Sequence, residues 1–444
     1  MSASYPALLE RLHDASVRAP QHPAVFGISG TLDRDTLLRR ALGAAEAGNA
    51  GTQRVVAPDD VGAWLPWLAG CSLGGGIWRL AAGGIDEPPP AGASIPAPSA
   101  DDTPCIATQT TGTTGAPRTL IRDRASWLRC FIAEEWLLGL RSTDRILVLG
   151  HPAFSLVPYA ALRALHLGAA VGVLGRPARR PARWMRGALA PTVIYGAPPL
   201  VMALARMQTA QPDATVRRII TGGARVSVAQ LRSMQSAWPA ARITSFYGTA
   251  ETSFLSVREN PDGADSADAG MLFPGVECAR DPLGRLRVRT PYAATTVEQA
   301  DGTTQPVTDA NGWLTLADRV SLAANGKVRL LERTDDRVNI AGALIAAAPL
   351  EQALERLPWV TEAAVVGLPD ARRSDTALAL VMTAGTPADD AGHQLREALD
   401  RATPARLRVE RMLDDPPRTA GGKLDRRALA RARAAGTLAT EVLP

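Results

Sequence analysis

Residues 105–118 read Cys-Ile-Ala-Thr-Gln-Thr-Thr-Gly-Thr-Thr-Gly-Ala-Pro-Arg. The run Cys105–Thr108 has the short apolar character of a buried strand. It feeds directly into Thr110, Thr111, Gly112, Thr113, Thr114, Gly115, Ala116, Pro117 and Arg118. Hydroxyls and flexible glycines in one short loop can wrap an anion with backbone N–H groups and Oγ donors, and Arg118 adds positive charge. No GxxxxGK[ST] occurs in the chain, so this is not a Walker loop. Taken alone, such a loop could equally be a polar turn. Its order of small residues, closed by Pro and a base, points to phosphate.

Outward from this loop, strands and helices alternate. Strands are expected at Arg145–Leu149, Ala170–Leu174, Pro191–Tyr195, Arg217–Thr221 and Arg242–Phe246. Helices are expected at Pro158–His166, Pro199–Met207 and Ser227–Trp238. Short β runs separated by such helices predict βαβ units and a largely parallel sheet. Before the loop, a strand at Ala24–Ile28, a helix at Asp33–Ala47, a strand at Arg54–Ala57 and a helix at Asp59–Leu68 are expected, then a Pro/Ala/Ser-rich linker from Asp86 to Pro104. After Gly270 the texture changes to short strands with turn signals at Asp281-Pro282-Leu283-Gly284 and Asn325-Gly326, a β-rich subdomain. The tail reads as a small α+β domain: helix Pro349–Leu357, strands Ala363–Gly367 and Thr376–Thr383, helix His393–Ala402. The fold class is therefore α/β, with a large N-terminal domain over 1–334 and a smaller α+β domain over 335–444.

The 444 residues suit two or three domains at roughly 150 residues each. Hydrophobic residues at 46% and charged residues at 21% are ordinary globular values and exclude disorder or a fibre. The net charge of +5 permits an anionic ligand without requiring nucleic acid. Of the 49 basic residues only Lys327 and Lys423 are lysine, so each is a candidate for chemistry that Arg cannot perform. Four cysteines without metal spacing read as free thiols of a cytoplasmic protein. The first residues lack the apolar run of a signal peptide. The apolar stretch Ala190–Ala205, broken by Gly196, Pro198 and Pro199, is too short to span a bilayer.

Four further segments carry candidate chemistry. Ser245-Phe246-Tyr247-Gly248-Thr249-Ala250-Glu251-Thr252 ends a strand with an aromatic residue and a carboxylate. Gly222-Gly223-Ala224 follows another strand. Trp313-Leu314-Thr315-Leu316-Ala317-Asp318 is followed by the charged run Glu332–Gly342. Pro417-Arg418-Thr419-Ala420-Gly421-Gly422-Lys423 lies near the end. Singly, each could be a solvated turn.

In this order, the five segments resemble the AMP-forming adenylating superfamily of acyl- and aryl-CoA synthetases, peptide-synthetase adenylation domains and luciferases. The family loop [ST][ST]G[ST][ST]GxPK is matched except that Arg118 replaces Lys. The resemblance implies ATP bound by Thr110, Thr111, Gly112, Thr113, Thr114, Gly115, Arg118, Gly222, Gly223, Ala224, Tyr247, Gly248, Thr249, Asp318 and Arg333. Tyr247 would stack on adenine, Asp318 would accept the ribose hydroxyls, and Glu251 would hold Mg²⁺. Lys423 would be the catalytic lysine of a mobile C-terminal domain, with the hinge at Asp335. Departures are Ala250 for Thr, Leu316-Ala317 for Thr-Gly, Glu332 for Gly and Asn339 for Lys. The N-terminal subdomain looks shortened.

The implied reaction activates a small carboxylic acid as acyl-AMP and then transfers the acyl group to the thiol of CoA or of a carrier protein's phosphopantetheine. His151, Phe154 and Ser155 fall near the family's acid pocket, although His151 could equally be a structural histidine. A small aryl acid is the first expectation and a fatty acid the second. A degenerate nucleotide-binding homologue is the reading from another class.

Overall fold

The computed structural model describes residues 9–27, 30–48, 53–55, 60–73, 77–80, 103–109, 118–175, 187, 189–208, 212–260, 267–299, 302–333, 337–340, 343–368, 376–385, 390–400, 407–419 and 424–443. The loop residues Thr110–Pro117, the expected hinge Asp335 and Lys423 lie outside the described residues, as does most of the 86–104 linker.

Thirteen strands form one sheet. From one edge they run Glu277–Arg280, Arg285–Arg289, Trp313–Leu322, Lys327–Arg333, Asp268–Leu272, Ser253–Glu259, Arg242–Thr249, Arg218–Gly222, Val193–Gly196, Arg145–Leu149, Ala170–Leu174, Pro23–Phe26 and Thr31–Asp33. The neighbours from Arg242–Thr249 to Pro23–Phe26 pair in parallel. Ile146, Leu147 and Val148 are all fully buried, so the central strand has no polar face. Helices covering both sides of a parallel sheet produce that continuous apolar reading. From Ser253–Glu259 outward the pairing is antiparallel. Much of the β-rich stretch after Gly270 thus continues the same ladder, while Thr296–Glu298 and Thr304–Pro306 join the second sheet.

Local chemistry sets the helix ends. The Asp123 side chain accepts from Ser126 N–H and starts Arg124–Leu138, which stops at Gly139 with φ 56°. Leu156–Leu167 stops at Gly168 with φ 70°. Such left-handed stops cost a residue with Cβ more than they cost glycine. Ser227 and Gln230 form a reciprocal capping box at the start of Val228–Ala237.

The expected helix at Asp59–Leu68 runs Val61–Leu73 and includes Pro66. Its Gly70 lies where an added Cβ would come within 2.4 Å of Ala44, so glycine allows it to cross closely over Arg34–Gly48. The helix Arg124–Leu138 carries no clear sequence signal, because Ile132, Trp136 and Leu137 are apolar yet exposed, outside the face where Trp127, Leu128, Phe131 and Leu138 are buried. It supplies Glu134, whose carboxylate accepts from Tyr195 Oη at 2.5 Å, Arg163 Nε at 3.0 Å and Tyr159 Oη at 3.1 Å. Burial raises the Glu134 carboxyl above its usual range, and Arg163 opposes the shift.

A second sheet of six strands orders Thr304–Pro306, Thr296–Glu298, Thr119–Asp123, Pro104–Gln109, Trp78–Leu80 and Gln53–Val55. The C-terminal part holds the hairpin Arg337–Ile340 with Ala343–Ala346. It also holds a four-stranded sheet, Val360–Leu368, Thr376–Thr383, Arg408–Met412 and Thr440–Val442. Helices Ala347–Glu355, Ala391–Asp400 and Arg426–Ala434 accompany it. Leu350, Leu354, Val365, Ala379 and Leu395 give this part its own core. Among the described residues no helix is long and apolar enough to cross a membrane.

Candidate active site

The parallel strands Arg145–Leu149, Arg218–Gly222 and Arg242–Thr249 release their chains along one edge of the sheet. The segments that follow them are Gly150–Ser155, Gly223–Arg225 and Ala250–Thr252. In open α/β sheets this carboxyl edge is where ligands bind.

Glu251 sits in the tight turn between Arg242–Thr249 and Ser253–Glu259. Thr252 N–H donates to Thr249 O at 3.2 Å, and Thr249 N–H donates to Thr252 Oγ1 at 3.1 Å. Ser253 takes φ 58°, and a register shift falls between Tyr247 and Gly248. A Cβ on Gly248 would lie 1.9 Å from Ser253 O, so only glycine fits this bulge. Outside the turn, Ala294 N–H donates to Glu251 O at 2.7 Å.

The strongest anchor is Arg122, which is fully buried. It donates to Ala250 O at 2.6 Å, to Tyr292 O at 2.7 Å and to Ser126 Oγ at 3.2 Å. Its guanidinium lies 5.5 Å from the Trp127 ring centroid. Loss of water lowers its pKa to about 10. One side chain therefore ties the turn before Glu251 to the segment around Tyr292. Sequence reasoning missed it. The available signal was an arginine inside the apolar strand Thr119–Asp123, four residues beyond the candidate phosphate loop.

Arg118 is the first described residue after that loop. Its Nη2 lies 3.7 Å from Glu251 Oε1, with Arg118 exposed and Glu251 less so. The two sequence candidates thus meet on the carboxyl edge. Among the described residues no group of three or more His, Cys, Asp or Glu could hold a metal. A single rim carboxylate suits Mg²⁺ that arrives with phosphate oxygens supplying the remaining ligands, the usual arrangement for this ion. The donor set fits on those terms, with Glu251 as the protein ligand.

Other candidates fall around this edge. Gly222 is the register partner of Phe246, and a Cβ on Gly222 would strike the Phe246 ring at 2.5 Å. Gly223 takes φ 79°. Phe246 packs on Phe254 at 4.2 Å between centroids. Asp318 is buried, and its strand register sets it opposite Arg333. His151 accepts from Ala153 N–H at 3.2 Å through Nδ1, and its ring lies 6.2 Å from Phe154. Phe154 bridges Gln109, and Gln109 N–H donates to Ala153 O at 2.9 Å. The His151–Ser155 segment is thereby docked on the residue that leads into the candidate phosphate loop. Ser155 stands at the start of Leu156–Leu167 without capping it through its side chain.

The C-terminal part meets the same edge. Beyond Gly222-Gly223-Ala224, Arg225 donates to Ala348 O at 3.5 Å and to the Gln352 amide oxygen at 2.8 and 2.9 Å. Ser227 Oγ donates to Thr361 O at 3.1 Å. The described residues flanking Lys423, Arg418 and Leu424, bridge each other, and Arg418 pairs with Glu362 at 2.9 Å. Lys327, the other lysine, is ion-paired with Asp268 at 2.9 Å in the sheet.

The sequence model of the family described as AMP-binding enzyme matches residues 29–284. The model of the AMP-binding enzyme C-terminal domain matches residues 349–423. An uncharacterised acyl–CoA ligase, YhfT of Bacillus subtilis, is 28% identical over 62% of this chain, and the match spans 57% of that relative's length. The salicyl-AMP ligase / salicyl-S-ArCP synthetase of Mycobacterium tuberculosis is 26% identical over 94% of this chain and 74% of its own length. Among solved structures, the anthranilate CoA ligase AuaEII with anthranoyl-AMP superposes with a TM-score of 0.77 at 17% identity, covering 98% of both chains.

Proposed function

Since this chain belongs to the AMP-binding enzyme family, we propose that it is an ATP-dependent acid–thiol ligase. The observation that carries this reading is the approach of Arg118 to Glu251, at 3.7 Å on the carboxyl edge of the sheet. One cation and one carboxylate side by side would supply the opposite charges that the nucleotide's phosphates and their Mg²⁺ require.

In the first half-reaction a carboxylate oxygen of the acid forms a bond to the α-phosphorus of ATP. The bond from that phosphorus to the bridging oxygen breaks, and pyrophosphate leaves. In the second, a thiolate sulfur bonds to the acyl carbon and AMP leaves. Such transfers depend on alignment and charge neutralisation more than on covalent help from the protein. Arg118 and the Thr110–Gly115 loop hold the phosphates, Asp318 holds the ribose, Arg333 the ribose or a phosphate, and Tyr247 faces adenine. Lys423 approaches the α-phosphate from a C-terminal domain that turns about Asp335.

The acid is a small aryl carboxylate. Two features support that choice. The match to the salicyl-AMP ligase runs along 94% of the chain. The His151 and Phe154 rings, 6.2 Å apart, offer an aromatic wall with one polar group for a ring hydroxyl or amine. The acceptor is the thiol of CoA or of a carrier protein's phosphopantetheine.

Acid-dependent ATP–pyrophosphate exchange over aryl and fatty acids, followed by transfer to CoA and to carrier protein, tests the assignment. Exchange with aryl acids supports it. Exchange with fatty acids alone changes the substrate class. A protein that binds ATP yet exchanges with no acid is a nucleotide-binding homologue that has lost the reaction.

A further inference from the structure

The opposite edge of the sheet carries a second concentration of charge. A cleft of about 570 Å³ opens there between the helices Glu10–Arg18, Arg124–Leu138 and Leu156–Leu167. Arg11, Arg18, Arg34 and Arg141 line it, with Glu135 as the one carboxylate. Arg141 precedes strand Arg145–Leu149, and His151 follows it. The cleft and the candidate active site therefore lie at opposite ends of that strand, about 16 Å of backbone apart.

The internal partners do not neutralise this charge. Arg11 pairs with Glu135 at 2.8 Å. Arg34 donates to Ala15 O at 3.3 Å and to Gly168 O at 3.2 Å, and Arg18 donates to Asp14 O at 3.2 Å. These carbonyls are neutral acceptors, and each guanidinium has five N–H donors. Loss of water and the neighbouring Arg18 charge hold Arg34 below the ordinary arginine range. Like charges gathered in a concave site, with donors left over, are what an oxyanion with several negative charges satisfies. The cavity is also of the size that encloses small ligands.

We propose that the cleft between Arg11, Arg18, Arg34 and Arg141 binds a compact polyphosphate-class anion, as a site separate from the nucleotide site. Arg18 and Arg141 stand exposed at its mouth and Arg34 forms its half-buried floor. The anion neutralises Arg18, Arg34 and Arg141, which have no ion-pair partner among the described residues.

The test is calorimetric titration of the full chain with inorganic tripolyphosphate, without divalent metal and at low salt. The Arg18→Gln/Arg141→Gln double variant is compared with Arg118→Ala, which alters only the nucleotide site. The double variant should bind tripolyphosphate at least about tenfold more weakly, since two charge-assisted contacts are removed. Arg118→Ala should keep the tight binding. Arg141→Gln alone, a change at the solvent-facing rim, should weaken binding in the same direction, which keeps the test valid if the double variant folds poorly. Native affinity in the folded cleft variants overturns the proposal. So does loss of all binding in Arg118→Ala, which would put the anion at the nucleotide site alone.

Discussion

Arg122 donates to the backbone oxygen of Ala250 at 2.6 Å, one residue before Glu251. The same guanidinium holds Tyr292 O at 2.7 Å. A residue with no contact to substrate thus fixes the height and direction of the carboxylate turn. Arg122→Met should leave the half-buried Ala250 carbonyl without its side-chain donor, at a cost of about 1–3 kcal/mol, and leave Tyr292 O with Ser253 Oγ alone, at 3.2 Å. Urea denaturation should show that loss. ATP–pyrophosphate exchange in the folded fraction should fall about 100-fold through misplacement of Glu251. Arg122→Lys should not restore the rate, because one ammonium does not reproduce the planar fork. A stable, fully active Arg122→Met protein would show that the turn holds itself.

Glu251→Gln keeps the side chain's size and removes its charge. Exchange should become undetectable while the fold remains. Arg118→Ala should raise the KM for ATP about 10- to 100-fold, as expected for one charge-assisted phosphate contact, and Arg118→Lys should be tolerated. An Arg118→Lys protein as poor as Arg118→Ala would instead indicate two-point contact by the guanidinium.

Gly248→Ala is the most severe single-methyl change at the site. The added carbon would meet Ser253 O at 1.9 Å, so the bulge must open. We expect a loss of about 3 kcal/mol or more and disordering of the Glu251 turn, read by denaturation and by the absence of exchange. An unaltered midpoint would mean that the two strands separate easily there.

Lys423 is tested by its two half-reactions. Lys423→Ala should slow acyl-AMP formation by about 10²–10³-fold, the effect of removing one preorganised charge at a developing anion. Supplied with synthetic acyl-AMP, the same protein should still transfer the acyl group to thiol. Equal loss in both halves would make the lysine structural.

Acid stability should depend on Glu298. Arg79 donates to its two oxygens at 2.7 Å each, and these hydrogen bonds hold the Glu298 carboxyl below its usual range despite some burial. A carboxyl depressed in the folded state stabilises it above the unfolded pKa of about 4.3. That contribution disappears as pH falls through the lower folded value. The native-minus-Glu298→Gln difference in unfolding free energy should therefore be level above about pH 5 and shrink in more acidic solution. A difference independent of pH would deny the pair any linkage.

Legibility in the sequence followed the range of the interaction. The parallel strands were readable because burial on both faces leaves unbroken runs such as Arg145–Leu149, where the expected and observed limits coincide. Glycine positions were readable as turns, and Gly223 and Gly248 do sit where a side chain is strained or excluded. The helix Arg124–Leu138 was not readable, since apolar Ile132, Trp136 and Leu137 on its exposed side erase the polar face that gives the periodic signal. Nor did the late hairpins reveal that Glu277–Arg280 with Arg285–Arg289 extends the main sheet and Thr296–Glu298 with Thr304–Pro306 the second. Strand partnership depends on distant segments and leaves no local mark.

The sequence by itself determined the family, the alternation of elements and the chemistry-bearing residue types, because propensity, periodicity and short motifs are local properties of the chain. Only the tertiary structure decided which of those residues meet. Arg118 and Glu251 are far apart in the chain and 3.7 Å apart in space. Asp318 and Arg333 are register partners on neighbouring strands. Arg122, one more arginine in an arginine-rich sequence, becomes the anchor of the turn once burial strips its water and leaves the carbonyls of Ala250 and Tyr292 as partners. The pairings of Arg118 and Arg122 arise from packing the two sheets together, and that of Asp318 from register within one sheet; packing and register are properties of the whole fold.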